Sequence, residues 1–169
     1  GTAEHPMDAT TDSLQRFLFE GAPVRGEIVH LDATWRAVLE RHQYPAPLRD
    51  TLGQLMAAAA LLSATLKFEG SLILQIQGSA AVKLMVVECT SEQTMRATAK
   101  WEGDLPDAAF RELVGGGRFA ITIVPTDATQ SYQGIVALEG DSVSAVLEHY
   151  MATSEQLETR LWLACSDEQ

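Results

Sequence analysis

Two hydrophobic periods run along this chain, and between them lies one stretch with no polar side. From Pro47 to Lys67 (PLRDTLGQLMAAAALLSATLK) polar residues sit near the start, at Arg49, Asp50 and Gln54, and only Ser63 and Thr65 interrupt Leu55 to Leu66. A helix that is apolar all round belongs inside a protein. The apolar run is about a dozen residues, short of the roughly 20 that a bilayer-spanning helix needs. Ala57 to Ala60 have high helix propensity and almost no side chain, so other elements can approach the backbone closely. Pro47 suits a first helical turn and Gly70 a stop. The pattern predicts a buried central helix over about residues 47–67.

On either side the period shortens to two. Ser13 to Glu20 and Val24 to Leu31 read as strands. Asp32 is placed to cap a helix through His42, with Trp35, Val38 and Leu39 on its inner face. After Gly70, Ser71 to Gln77 alternates cleanly, Gly78-Ser79 turns the chain, and Val82 to Cys89 returns. Thr94 to Trp101 is a further strand; Gly103 to Val114 reads as a loop and short helix broken by Gly115 to Gly117. Phe119 to Val124 and Tyr132 to Leu138 form a hairpin around Pro125 to Thr129. Ser142 caps an amphipathic helix with Val143, Val146, Leu147, Tyr150 and Met151 at helical spacing, and Thr159 to Ala164 reads as a last strand. Short connections make the strands antiparallel, so the expected fold is α+β, mostly antiparallel sheets around the central helix with flanking helices. One domain is expected over 13–169, preceded by a flexible segment over 1–12. Met7 is a candidate natural start, with Gly1 to Pro6 a cloning remnant.

Charge narrows the function. A net charge of −11 argues against binding a nucleic-acid backbone or an anionic membrane, both of which need clustered Lys and Arg. Two distant cysteines, Cys89 and Cys165, point to a reducing compartment without a disulfide framework. No leading segment has the basic start and apolar core of a signal peptide. The histidines (His5, His30, His42 and His149) lack metal-ligand spacing, and no CxxC pair is present. The Gly115-Gly116-Gly117 run lacks the GK[ST] of a phosphate loop and precedes a strand, so a turn is the better reading. No GxSxG elbow occurs, and carboxylates are too many for sequence alone to pair two of them. No catalytic, cofactor-binding or metal-ligating residue is assigned.

Several segments, in order, resemble one family: RFLFEGAPVRGEIV (Arg16 to Val29), LLSATLKFEG (Leu61 to Gly70), LQIQG (Leu74 to Gly78), MRATAKWEG (Met95 to Gly103), LVGGGRFAITIVP (Leu113 to Pro125) and the long stretch from Tyr132 to Ala164. The family is Hsp33, the redox-regulated bacterial holdase of about 33 kDa. The resemblance covers that family's amino-terminal core. It implies an ATP-independent, cytoplasmic chaperone domain of the stress response that binds unfolded proteins and forms a homodimer. It also implies a zinc domain with CxC and CxxC pairs further along a longer chain, where oxidation releases the metal; no zinc is expected here, since Cys89 and Cys165 match none of those ligands. A holdase needs exposed apolar surface on a charged, soluble body. The candidates for a client or dimer surface are Phe17, Phe19, Tyr150 and Glu155, the last within the Ser154 to Leu161 segment; Trp101, Phe110 and Trp162 are further large side chains. The competing readings are a purely structural dimerisation scaffold and an enzyme with an unrecognised carboxylate site, the latter requiring a deep polar pocket.

Overall fold

A computed structural model describes residues 12–18, 21, 25–65, 69–92, 94–127, 130–154 and 161–165. The chain divides into two compact units between Gln43 and Tyr44.

In the first unit, β1 (Ser13–Leu18) and β2 (Arg25–His30) pair antiparallel, with Ser13 opposite His30 and Leu18 opposite Arg25. Phe19, Glu20 and Val24, expected at the strand ends, lie outside the described residues. Helix α1 (Ala33–Arg41) follows, with Val38 buried and Trp35 and Leu39 half-buried on the expected face. Asp32 stands at the N-cap, but its carboxylate makes no capping bond; it accepts instead from Arg36 Nε at 2.9 Å. The cap comes from Asp12. Its carboxylate accepts the Asp32 N–H at 2.6 Å and the Thr34 N–H at 3.3 Å, and the Thr34 hydroxyl donates to it as well. Those amides have no partner within the helix, so a carboxylate there stabilises its first turn twice, by hydrogen bonds and by charge. Asp12→Ala is therefore expected to lower the stability of this unit by about 1 kcal/mol, with Asp32→Ala costing less, as read from denaturant midpoints.

The second unit is a single five-stranded sheet with helices on one face. Helix α2 (Ala46–Thr65) is the uniformly apolar stretch. Strands β3 (Gly70–Gly78), β4 (Val82–Thr90), β5 (Met95–Trp101), β6 (Gly117–Pro125) and β7 (Tyr132–Ala137) are arranged β5-β4-β3-β6-β7, every pair antiparallel. Helix α3 (Phe110–Val114) lies between β5 and β6, and α4 (Val143–Ser154) follows β7. The register sets the faces, because cross-strand partners point the same way. Leu72 meets Cys89 and Ile123, Leu74 meets Val87 and Ile121, and Ile76 meets Met85 and Phe119. These form the inner face, and α2 packs on it against β3, β4 and β5, with α4 alongside. Leu48, Leu52, Leu55, Met56, Ala58 and Ala59 of α2 are fully buried. Ser63, one of the helix's few polar residues, hydrogen-bonds the Cys89 thiol of β4, so its hydroxyl is buried with a partner.

The other capping expectation holds: Ser142 Oγ accepts the Ala145 N–H at 3.1 Å, and Val143, Val146, Leu147 and Tyr150 turn inward. Gly115, at φ +66°, ends α3, and a Cβ on Gly117 would lie 1.9 Å from the Gln77 carbonyl oxygen, so the triple glycine is a tight connection between packed backbones. The expected last strand is a correction. Thr159 and Arg160 lie outside the described residues, and 161–165 has no regular secondary structure. The Leu161 N–H donates to the Glu148 carboxylate of α4 at 2.7 Å and to no neighbouring strand. Leu161 and Leu163 are half-buried while Trp162 and Ala164 are exposed, so the alternation there reports an extended segment with one side covered, not sheet pairing.

Candidate functional site

Antiparallel sheets with one covered face usually alternate apolar inward and polar outward. Here the outward positions break that rule. Strand by strand they read Arg96, Thr98, Lys100; Glu88, Val86, Leu84; Ile73, Gln75, Gln77; Val124, Thr122, Ala120, Arg118; and Gln133, Ile135, Ala137. One register row crosses four strands as Val86, Gln75, Ala120 and Ile135, flanked by Leu84, Ile73 and Val124. Ile135 is 54% exposed and Val124 39%; Ile73, Leu84 and Val86 are half-buried. The result is an apolar belt on a partly accessible sheet face. Polar side chains on this face bond to one another, as Gln133 Nε2 does to Thr122 Oγ1 at 3.2 Å and Arg96 to Glu88 at 3.7 Å.

The residues expected on a functional surface fall elsewhere. Tyr150 is corrected: it is 1% exposed, its ring edge-on to Phe119 at 5.5 Å and its hydroxyl 3.1 Å from that of Tyr132. Its spacing from Val143, Val146 and Leu147 puts it on the buried side of α4. The Phe17 backbone pairs with Gly26 in β1, but its side chain, like Phe19 and Glu155, lies outside the described residues. Trp101 is half-buried against Tyr44 at 5.7 Å, and Trp162 is 85% exposed. Strict alternation, the mark of a strand with one covered face, does not point to the belt residues. The signal was present: FAITIV and YQGIVAL carry apolar side chains on both parities.

A cleft of about 340 Å³ opens where the starts of α2 and α4 meet α3, lined by Ala46, Asp50, Asp107, Phe110, Ser142 and Val143 among others. Its carboxylates are exposed, and Asp50 accepts from Gln54 Nε2 at 2.9 Å. It brings no buried pair of carboxylates together, which is what an acid–base site of the kind considered above requires. Cys89 is fully buried, and burial pushes its thiol up, partly offset by the Ser63 hydrogen bond. The Cys165 thiol is half-buried and donates to the Arg49 carbonyl at 3.9 Å. Neither belongs to a set of three or more metal-binding side chains among the described residues. No helix of the described residues is long and apolar enough to cross a membrane.

The fold is thus an antiparallel sheet covered by helices on one face, with apolar side chains partly exposed on the other. The model of the Hsp33 protein family matches residues 12–169, and the chain belongs to that family. It is 58% identical over 159 residues to the 33 kDa chaperonin of Chromobacterium violaceum, covering 93% of this chain and 54% of that protein. It is 54% identical to the 33 kDa chaperonin of Methylobacillus flagellatus, over 92% and 53% of the two chains. The crystal structure of the 33 kDa chaperonin from Thermotoga maritima superposes with a TM-score of 0.75 at 22% identity, over 85% of this chain and 51% of that one, and shares the fold. The chain thus spans about half the length of the relatives it matches.

Proposed function

We propose that this chain is the client-holding core of an ATP-independent chaperone, which keeps unfolded proteins from aggregating without itself catalysing a reaction. The observation that carries the reading is the outward belt of Ile135 and Val124, both exposed, with Ile73, Leu84 and Val86 half-buried beside them. Burying such surface against an unfolded segment releases water from both, at about 25 cal/mol per Å² of apolar area. The net charge of −11 keeps chains bearing that surface apart in solution. The names of the relatives support the same reading. In the longer protein, activity is switched by oxidation of a zinc site in a later domain. The working unit is a cytoplasmic homodimer.

The test is light scattering from a thermally unfolding client, with and without this chain, in dithiothreitol and after peroxide. Suppression of scattering to the same degree under both conditions is expected, because the buried thiol of Cys89 is protected and no thiolate cluster is described. Absence of suppression by a folded chain would leave the scaffold reading standing. Activation by peroxide would give Cys89 or Cys165 a regulatory role that the reading denies them.

A further inference from the structure

Charge is not spread evenly over this molecule. The chain holds 23 acidic residues against 12 basic ones, yet the outward sheet face carries three cations, Arg96, Lys100 and Arg118, and a single carboxylate, Glu88. That carboxylate already lies 3.7 Å from Arg96. Lys100 and Arg118 share the end of the face in one register row, Lys100, Leu84, Gln77, Arg118, Ala137. Three strand spacings separate these two cations, roughly 14 Å. Both are exposed, and neither forms an ion pair among the described residues. Two acids that follow these strands lie near other cations: Glu102 is 3.9 Å from Lys83, and Glu139 is 3.0 Å from His149.

We infer that the belt selects apolar segments flanked by Asp or Glu, whose carboxylates are received by Lys100 and Arg118. The inference rests on the holding function proposed above and adds the class of client to it. At about 0.15 M salt, charges more than roughly 8 Å apart are largely screened. A segment docked at the Lys100 and Arg118 end therefore responds to those cations more than to acids such as Glu69 at the Val124 end, six residues along the strand, roughly 20 Å away. Electrostatic complementarity of this kind discriminates between partners more than it adds affinity. An apolar segment flanked by Lys meets like charge at that end of the belt and finds no free carboxylate on the face.

The probes are two dye-labelled unstructured peptides with one shared apolar core, flanked by Glu in the first and Lys in the second, titrated with this chain and followed by anisotropy. The Glu-flanked peptide is expected to bind about fivefold tighter at 0.15 M salt, the size given by a few exposed ion pairs. The preference is expected to fall below about twofold in the Lys100→Gln/Arg118→Gln variant and in 1 M salt, where screening acts within about 3 Å. Both substitutions are at exposed positions, and circular dichroism checks that the fold is kept. Equal binding of the two peptides, or tighter binding of the Lys-flanked one, overturns the charge selection and leaves the holding function in place. Binding of neither peptide, with no suppression of client aggregation, overturns both.

Discussion

Truncating Phe119 to alanine is expected to lower the free energy of unfolding by about 3–5 kcal/mol. The ring is fully buried, opposite Ile76 on one neighbouring strand and Val136 on the other. It meets Tyr150 of α4 edge-on, with centroids 5.5 Å apart, so one side chain joins the middle of the sheet to the last helix. The surroundings are poorly able to collapse into the space it leaves. Tyr150 is held by its hydroxyl contact with Tyr132, and it stands so close to β7 that a Cβ on Gly134 would lie 2.4 Å from its oxygen. Guanidinium unfolding should show the midpoint falling with little change in slope. Phe119→Leu, which keeps most of the volume, should recover much of the loss. A loss below 1 kcal/mol for Phe119→Ala would contradict this packing.

Replacing Ile135 and Val124 together by glutamine is expected to raise the amount of protein needed for half-suppression of client aggregation by about tenfold, without unfolding the chain. Fully burying an aliphatic side chain of this size is worth about 1.5–3 kcal/mol, and the part of each left exposed here is available to a client. Removing two such contributions costs about 1.4 kcal/mol of holding free energy, a factor of ten. The fold should tolerate the change because both side chains stand outward, 54% and 39% exposed, and strand propensities span only about 1 kcal/mol. Suppression unchanged in a folded variant would place client contact away from the belt.

What was legible in the sequence was what a local period can report. The central helix could be read because nothing polar interrupts Leu55 to Ala60, and burial on nearly every side follows from that alone. The inner sheet face followed from strict alternation in Ser71 to Gln77. The misses have physical causes. The period of two in Leu161 to Cys165 records one-sided burial, which a segment satisfied by the Glu148 side chain shares with a true strand. Asp32 is the N-cap position as its sequence context indicates, but the capping bonds come from Asp12, 20 positions away and beyond the reach of any local pattern. Tyr150 is a surface candidate only by its size and chemistry; its helical spacing from Val143, Val146 and Leu147 places it inside. The belt was overlooked because β6 and β7 are apolar on both faces, and only the register tells which of those side chains α2 and α4 cover.

On the function proposed above, clients are held on the outward sheet face. The most direct test is a photo-crosslinking amino acid placed at Ile135 in one variant and at Ala152, on the exposed side of α4, in another. Each is mixed with a thermally unfolding client and irradiated. Strong crosslinking to the client from position 135 and little from position 152 are expected. Equal yields from the two positions, or crosslinking from 152 alone, would contradict holding on this face.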